Sequence, residues 1–383
     1  MNWIKSVLIT IVLSSSCQAQ SLSVAFAHEN YDFFQLLELF ELQTGIHVTP
    51  AAITTSRLKV ELLQKASANQ LPDAVIVPGD YIGLDEINFS RIPDEWFSPD
   101  TDRKHIQAVA LDGHNYGVPV IAGNHLVLFY NKSLVTTPAR NWLQLSQQSF
   151  PQGVATISWS YNEMYWFLPF LAAFEQLPLV DHSITLNTEG MRDAMVFYQQ
   201  VAQNRLVDKN CNYQCSVDKF LGQNVAYTIN GAWAWGRFKK EMGEQVGIAL
   251  LPNIGDRRMQ PYFSVHALAF PNQAIDSEKR DSLQQLAQFF QSYEVQMRVW
   301  QRLSSLPVSR AVMADVLSNA DDNTKALIAQ LQQAHPMPTS KEMAIVWEAM
   351  LKGMNRYQAG VFDLNKATSY MQYIAIKSVN ERD

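Results

Sequence analysis

Ser21-Leu-Ser-Val-Ala-Phe-Ala27, Phe33-Phe-Gln-Leu-Leu-Glu-Leu-Phe-Glu-Leu42, Ile46-His-Val48, Ser56 to Ala68 and Ala74-Val-Ile-Val77 follow one another in a single stretch of chain, and their order decides the fold. The first piece alternates Leu22, Val24 and Phe26 with Ser and Ala, the period of a strand. Phe33, Leu36, Leu37 and Phe40 recur at helical spacing, Gly45 ends that helix, and Ile46-His47-Val48 opens a second strand. Ser56 to Ala68 reads as a second helix, and the apolar run Ala74 to Val77 behind Pro72-Asp73 as a buried third strand. Strands alternating with helices at this spacing predict an α/β fold, a parallel sheet covered by helices.

Downstream the pattern changes. Val118, Val120 and then Leu126 to Tyr130 predict two strands with Gly123-Asn124 between them. Phe167 to Phe174 and Met191 to Ala202 read as helices. Ala226 to Ile229, Gly247 to Leu251 and Val265 to Phe270 read as strands. From Asp281 to Ser378 the chain is mostly helical, with breaks near Ser304 to Pro307 and Pro336 to Pro338. No repeat and no Gly/Ser linker occurs, so the domains suggested by 383 residues must be joined by short crossings.

Composition narrows the function classes. Apolar residues are 47% and charged residues 17% of the chain, enough apolar side chain for a packed core, which excludes a disordered protein. Lys plus Arg is 30 and Asp plus Glu 36, a formal charge of −6. With no basic block, nucleic-acid binding is not expected. Nine Trp and 14 Tyr supply groups that both pack and recognise ligands.

The first residues read as a targeting segment. Lys5 is followed by the apolar run Val7 to Leu13 and by small, polar Ser14 to Ala19, the form of a signal peptide, 1–19, cut after Ala19. The run is too short to span a bilayer, which takes about 20 apolar residues. Cys17 behind three serines allows a second reading, a lipoprotein anchor, although Ser14 stands where a lipobox has Leu. The expected compartment is an oxidising one outside the cytoplasm. Cleavage leaves Cys211 and Cys215, an even count in an oxidising environment, which favours a structural disulfide. Their spacing is not that of a redox pair, and no His or further Cys lies at zinc-site distance.

Catalytic signatures are missing. There is no Gly-x-Ser-x-Gly, no Gly-x-Gly-x-x-Gly, no phosphate loop and no His-Glu-x-x-His. His28-Glu29 lacks the second His one turn on. No metal and no cofactor is signalled, and no spacing singles out a carboxylate pair for glycoside hydrolysis.

Five segments, in order, carry a resemblance: Phe40-Glu-Leu-Gln-Thr-Gly-Ile-His-Val48; Leu71-Pro-Asp73 with Asp80; Tyr116-Gly-Val-Pro119 with Leu128-Phe-Tyr-Asn-Lys132; Ala226-Tyr-Thr-Ile-Asn-Gly-Ala-Trp-Ala-Trp235; and Leu306-Pro-Val-Ser-Arg310. Together they resemble the periplasmic solute-binding proteins of bacterial ABC sugar transporters, in the branch of the maltose-binding protein. The resemblance implies the two-lobed periplasmic binding protein fold, with a ligand cleft between lobes that close about hinge crossings. It places lobe one at 20–122 plus 268–314 and lobe two at 126–264 plus 318–383. It implies a monomer that binds a sugar, carries no catalytic residue and hands its ligand to a membrane permease.

By the same resemblance Trp233 and Trp347 match aromatics that stack on sugar rings, Glu163 and Tyr165 match a hydrogen-bonding carboxylate and an aromatic, and Asp80 matches a carboxylate on lobe one. Tyr81 and Asn124 join the candidate site where the family has an Arg and, at the crossing, a Glu. Val77 stands in place of a third stacking Trp and Leu351 in place of another Arg, so maltose itself is not implied. His28 and Glu29 follow the first strand at the expected cleft edge. Asn230-Gly231 marks a turn into a helix, where positions two apart diverge by about 200°, so Trp235 is expected to pack inward. His125 and His266, near the crossings, read as packing residues. Three other readings stay open: a binder of a cation such as a polyamine, since Asp80, Glu163 and Glu348 are acidic; a binding protein coupled to a membrane sensor; and a periplasmic glycoside hydrolase.

Overall fold

The computed structural model describes residues 21–27, 32–180, 182–303 and 305–381. The expected signal peptide with Cys17, and the candidate ligand residues His28 and Glu29, lie outside the described residues. Two separate sheets, each with its own helices, make two α/β lobes.

The first sheet is built outward from the N-terminal strand. Ser21–Ala27 pairs in parallel with His47–Ile53 on one side and with Ala74–Pro78 on the other. The sheet continues antiparallel through Tyr262–Ala269 to Val118–Gly123 and then Leu306–Pro307. His335–Pro336 pairs with Tyr262 and Phe263. Both faces are covered, as a parallel sheet requires. Leu22, Val24 and Phe26 enter one apolar cluster with Phe33, Leu37 and Phe40 of the helix Asp32–Thr44 and with Phe290. Ala25 and Ala27 enter another with Leu58 and Leu62 of the helix Thr55–Ser67.

The second sheet has the order Val246–Ala249, Leu126–Asn131, Val225–Gly231, Ala155–Ser158. Its large core gathers Trp142, Trp159, Tyr161, Phe167, Phe170 and Tyr198. The long C-terminal helices Lys341–Gln358 and Leu364–Asn380 pack on the same core through Met343, Val346, Met350, Met371 and Ala375. Thr188, Asn212, Asp321 and Asp363 each cap a helix by accepting a backbone N–H of its first turn. Cys211 and Cys215 are joined by a disulfide. No helix among the described residues is long and apolar enough to cross a membrane.

The chain passes from one sheet to the other in very few residues. Gly123 ends a strand of the first sheet at φ 114°, Asn124 follows at φ 46°, and Leu126 begins a strand of the second. A φ near 114° is open to Gly and closed to residues with a Cβ, and Asn is the side chain that best tolerates the left-handed region.

The first sheet is tied together at its edge by Asp73. Its carboxylate accepts from the backbone N–H of Ser23 at 2.7 Å, from the Ser23 hydroxyl at 2.8 Å and from the Lys279 ammonium at 2.8 Å. Burial alone would raise its pKa. The bonds from Lys279 and Ser23 outweigh burial and hold it below the ordinary 3.8. A carboxylate with a depressed folded pKa adds stability that is complete above its unfolded value and is lost as pH falls through the folded one. Asp73→Asn should therefore cost on the order of 2 kcal/mol at neutral pH, and the difference from the parent protein should shrink below pH 3.8. Urea melts at pH 7 and pH 3 measure both.

Candidate functional site

Three strand ends and two helices converge on one cavity. The strand Ala74–Pro78 leads into a short 3-10 turn, Gly79–Gly83, that carries Asp80 and Tyr81. The crossing contributes Asn124. Glu163 sits at the N-cap of the helix Met164–Ala173, with Tyr165 and Trp166 in its first turn. The strand Val225–Gly231 ends in a 3-10 turn, Ala232–Ala234, bearing Trp233, and continues as the helix Trp235–Met242. Trp347 and Glu348 come from the helix Lys341–Gln358. These residues line a cavity of about 670 Å³ between the lobes. Asp80, Tyr81, Asn124, Glu163, Tyr165, Trp233 and Trp347, all candidates from the sequence, are thus brought to one place.

Trp233 is held by a close approach of ring to backbone. Its indole lies over Gly231, where an added Cβ would come within 2.1 Å of the ring. The Ala232 N–H donates to the carbonyl of His125 at 2.8 Å and fixes the turn. The indole N–H donates to the Tyr213 hydroxyl at 3.1 Å. The ring remains 41% exposed, open to the cavity. Trp235, two residues on, is buried among Phe129, Phe220 and Phe238, so the two indoles do diverge as the Asn-Gly turn suggested. Tyr165 stands between exposed Trp233 and partly buried Trp347, 6.2 Å from the first and 6.3 Å from the second between ring centres. Its hydroxyl bonds to the carbonyl oxygens of Asn124 and Tyr262. Trp166 meets Trp233 edge-on at 6.2 Å and donates its own N–H to the Ile229 carbonyl at 2.8 Å.

The charged groups of the lining are acidic. Asp80, Glu163 and Glu348 line the cavity, and no Lys, Arg or His does so among the described residues. Asp80 is open to water at the cavity, and desolvation by the protein crowded around it raises its pKa above 3.8, against the opposing pull of its own backbone N–H and of Lys59. Burial, with Asp80 nearby as a lesser cause, pushes the Tyr81 hydroxyl up to about 12. Glu163 accepts from the Ser160 hydroxyl at 2.7 Å, and Glu348 pairs with Lys352 at 2.6 Å. The two histidines near the crossings are held neutral. His125 is fully buried with Nε2 3.0 Å from the Leu327 carbonyl, and burial lowers the pKa of both His125 and His266 to about 4.

Residues that sequence reasoning did not single out also line the cavity: Trp166, Met164, Asn162 and Met337. The first three are sequence neighbours of the candidates Glu163 and Tyr165, and that adjacency was the available signal. Met337 had none. Val77 is fully buried in the core of lobe one and does not face the cavity. Among the described residues no group of three or more His, Cys, Asp and Glu is placed to hold a metal.

Two α/β lobes meeting over an aromatic-walled, acid-lined cavity are the architecture of a protein that encloses a small solute. Residues 35–326 match the family model described as bacterial extracellular solute-binding protein, and the chain belongs to that family. The "Maltooligosaccharide ABC transporter solute-binding lipoprotein" of Streptococcus pneumoniae serotype 4 is 22% identical over 360 residues, covering 88% of this chain and 83% of that protein. The "Maltodextrin-binding protein MdxE" of Bacillus subtilis is 23% identical over 267 residues, 64% of this chain and 62% of that protein. Among solved structures, the "Maltose/maltodextrin-binding domain MalE from Bdellovibrio bacteriovorus bound to maltotriose" superposes with a TM-score of 0.82 at 23% identity. It covers 95% of this chain and 100% of that one, and so shares the fold.

The packing around the two indoles separates their roles in stability. Trp235→Ala should lose about 3–5 kcal/mol, as expected for a buried Trp, whereas Trp233→Ala should cost about 1 kcal/mol or less, as a half-open site does. Thermal melts of the two variants compare them directly. Gly231→Ala should cost about 1–3 kcal/mol by overpacking and should displace the Trp233 ring, visible as a shift in its fluorescence.

Proposed function

We propose that this extracytoplasmic protein captures a carbohydrate, a neutral oligosaccharide, between its lobes and delivers it to the permease of an ABC transporter, itself leaving the ligand unchanged. One observation carries the reading: Trp233, Tyr165 and Trp347 form a run of aromatic faces along a 670 Å³ cavity whose other wall holds Asp80. A pyranose has an apolar face of C–H groups and a rim of hydroxyls. Aromatic faces bury the first, and carboxylates accept charge-assisted hydrogen bonds from the second. The volume lies within the range of small-molecule sites, about 300–1,000 Å³. A lining without Lys or Arg disfavours an acidic sugar. The maltooligosaccharide and maltodextrin specificities named for the relatives make linear glucose oligomers the first ligands to try.

Closure about crossings near 122–126 and 264–268, with lobe one at 20–122 plus 268–314 and lobe two at 126–264 plus 318–383, belongs to the same proposal. So do a monomeric state, export to the periplasm behind the signal peptide 1–19, and the absence of catalysis. The acidic lining favours one other reading, a cationic solute such as a polyamine, and polyamines belong in the same experiment.

Titration calorimetry with maltose to maltohexaose and with spermidine tests the proposal, since a ligand that binds the folded state also raises the melting temperature. A glucose oligomer should bind, and Trp233→Ala should weaken it at least tenfold, about the worth of a stacked hot-spot aromatic. Chromatography of the recovered sugar should show it intact. Hydrolysis that disappears with Glu163→Gln would move the protein to the glycoside hydrolases, and binding of spermidine alone would replace the sugar.

A further inference from the structure

The short disulfide loop lies directly behind the candidate ligand wall. Cys211 and Cys215 bracket Tyr213, the first residue of the helix Tyr213–Leu221. The Tyr213 hydroxyl is the acceptor for the Trp233 indole N–H, at 3.1 Å. The Tyr213 ring also packs against Trp166, with centres 6.1 Å apart. The same loop supports the neighbouring segment through its backbone. The Cys211 carbonyl accepts from the Tyr161 N–H at 3.1 Å, and the Lys209 carbonyl accepts from the Asn162 side-chain amide at 3.0 Å. Tyr161 and Asn162 lead directly into Glu163 and Tyr165. The helix is held to the sheet beneath it by Ser216, whose hydroxyl lies 2.9 Å from that of Thr228 and 3.1 Å from that of Ser158.

Two parts of the cavity wall, distant in sequence, thus share one support. Closing a loop this short removes little entropy from the unfolded chain, so global stability is a weak reason for the bond. Its local effect is larger. It fixes the turn that enters the helix, where the Asn212 side chain caps the Cys215 N–H at 2.9 Å, and so fixes where the Tyr213 side chain departs.

We propose that the Cys211–Cys215 loop is a positioning element for the ligand wall, and that Tyr213 is the positioning residue through which it orients Trp233. Trp233 has a free face toward the cavity, and its indole donor is engaged behind. Without the acceptor the ring has more orientations available and must be ordered when ligand arrives, which lowers affinity. The proposal rests on the ligand role of Trp233 stated above, and it also predicts a behaviour of the free protein.

The test uses Tyr213→Phe, the double variant Cys211→Ser with Cys215→Ser, and the triple combination. Maltotriose is the probe for binding. Acrylamide quenching of the Trp233 emission, isolated by subtracting the spectrum of Trp233→Phe, is the probe for the ring. Tyr213→Phe should weaken maltotriose about fivefold, roughly one hydrogen bond, and raise the quenching of Trp233 with the melting temperature little changed. The double cysteine variant should do the same, and adding Tyr213→Phe to it should cost little more, because both changes act through one contact. Wild-type affinity and wild-type quenching in both variants, with only a lower melting temperature in the cysteine variant, would reduce the disulfide to a staple and overturn the proposal. If the cysteine variant does not fold, Tyr213→Phe decides alone. If the parent protein binds no maltotriose, the choice of sugar has failed, and the quenching comparison still decides whether Tyr213 positions Trp233.

Discussion

The two consecutive residues at positive φ, Gly123 and Asn124, are the constraint on which the rest of the molecule depends. They turn the chain out of one sheet and into the other within a few residues, so the lobes begin in contact instead of being joined by a linker. Their backbone groups then organise the site. The carbonyl of Asn124 receives the Tyr165 hydroxyl, and the carbonyl of the next residue, His125, receives the Ala232 N–H that sets the turn carrying Trp233. The imidazole of His125 reaches across to the Leu327 carbonyl on a third segment. A left-handed non-Gly residue costs of order 1 kcal/mol or more, and here three hydrogen bonds gathered at one crossing offset that cost.

Electrostatics around the crossing follow from what is buried and what stays wet. His125 is buried and His266 partly so, and desolvation holds both neutral, so neither places a cation near the cavity at physiological pH. Asp80 keeps its contact with water and has no cation against it within the lining. The lining is therefore acidic, with Glu348 offset by its ion pair to Lys352. Sugar hydroxyls, weak donors, meet such a carboxylate on favourable terms, and an ammonium would too, whereas an anionic ligand would meet repulsion from Asp80 and Glu163.

Much of this was legible in the sequence because it rested on periodicity and local chemistry. The alternation of Leu22, Val24 and Phe26 and the helical spacing of Phe33 to Phe40 named the first sheet and its cover. Asn230-Gly231 announced the turn that sends Trp233 and Trp235 to opposite environments. Asp80, Glu163, Trp233 and Trp347 were recognisable as candidates through the resemblance, and they line one cavity. Other features left no such mark. Met337 reaches the cavity from a segment with neither periodicity nor motif. Tyr213 meets Trp233 across a separation that no spacing rule connects. The residues that hold a site's own side chains in place are set by where the chain returns in space, and the sequence pattern does not sum those returns.

The polar ends of three wall aromatics are already committed to the protein. The Trp233 N–H is given to Tyr213, the Trp166 N–H to Ile229, and the Tyr165 hydroxyl to the crossing. A bound molecule therefore meets these rings only by their faces and edges, which recognise area and shape and discriminate poorly between stereoisomers. Other polar groups on the lining are Asp80, Tyr81, Asn124, Glu163 and Glu348, drawn from both lobes and the crossing. On the proposed reading, affinity would come from the aromatic run and selectivity from the scattered carboxylates and amides.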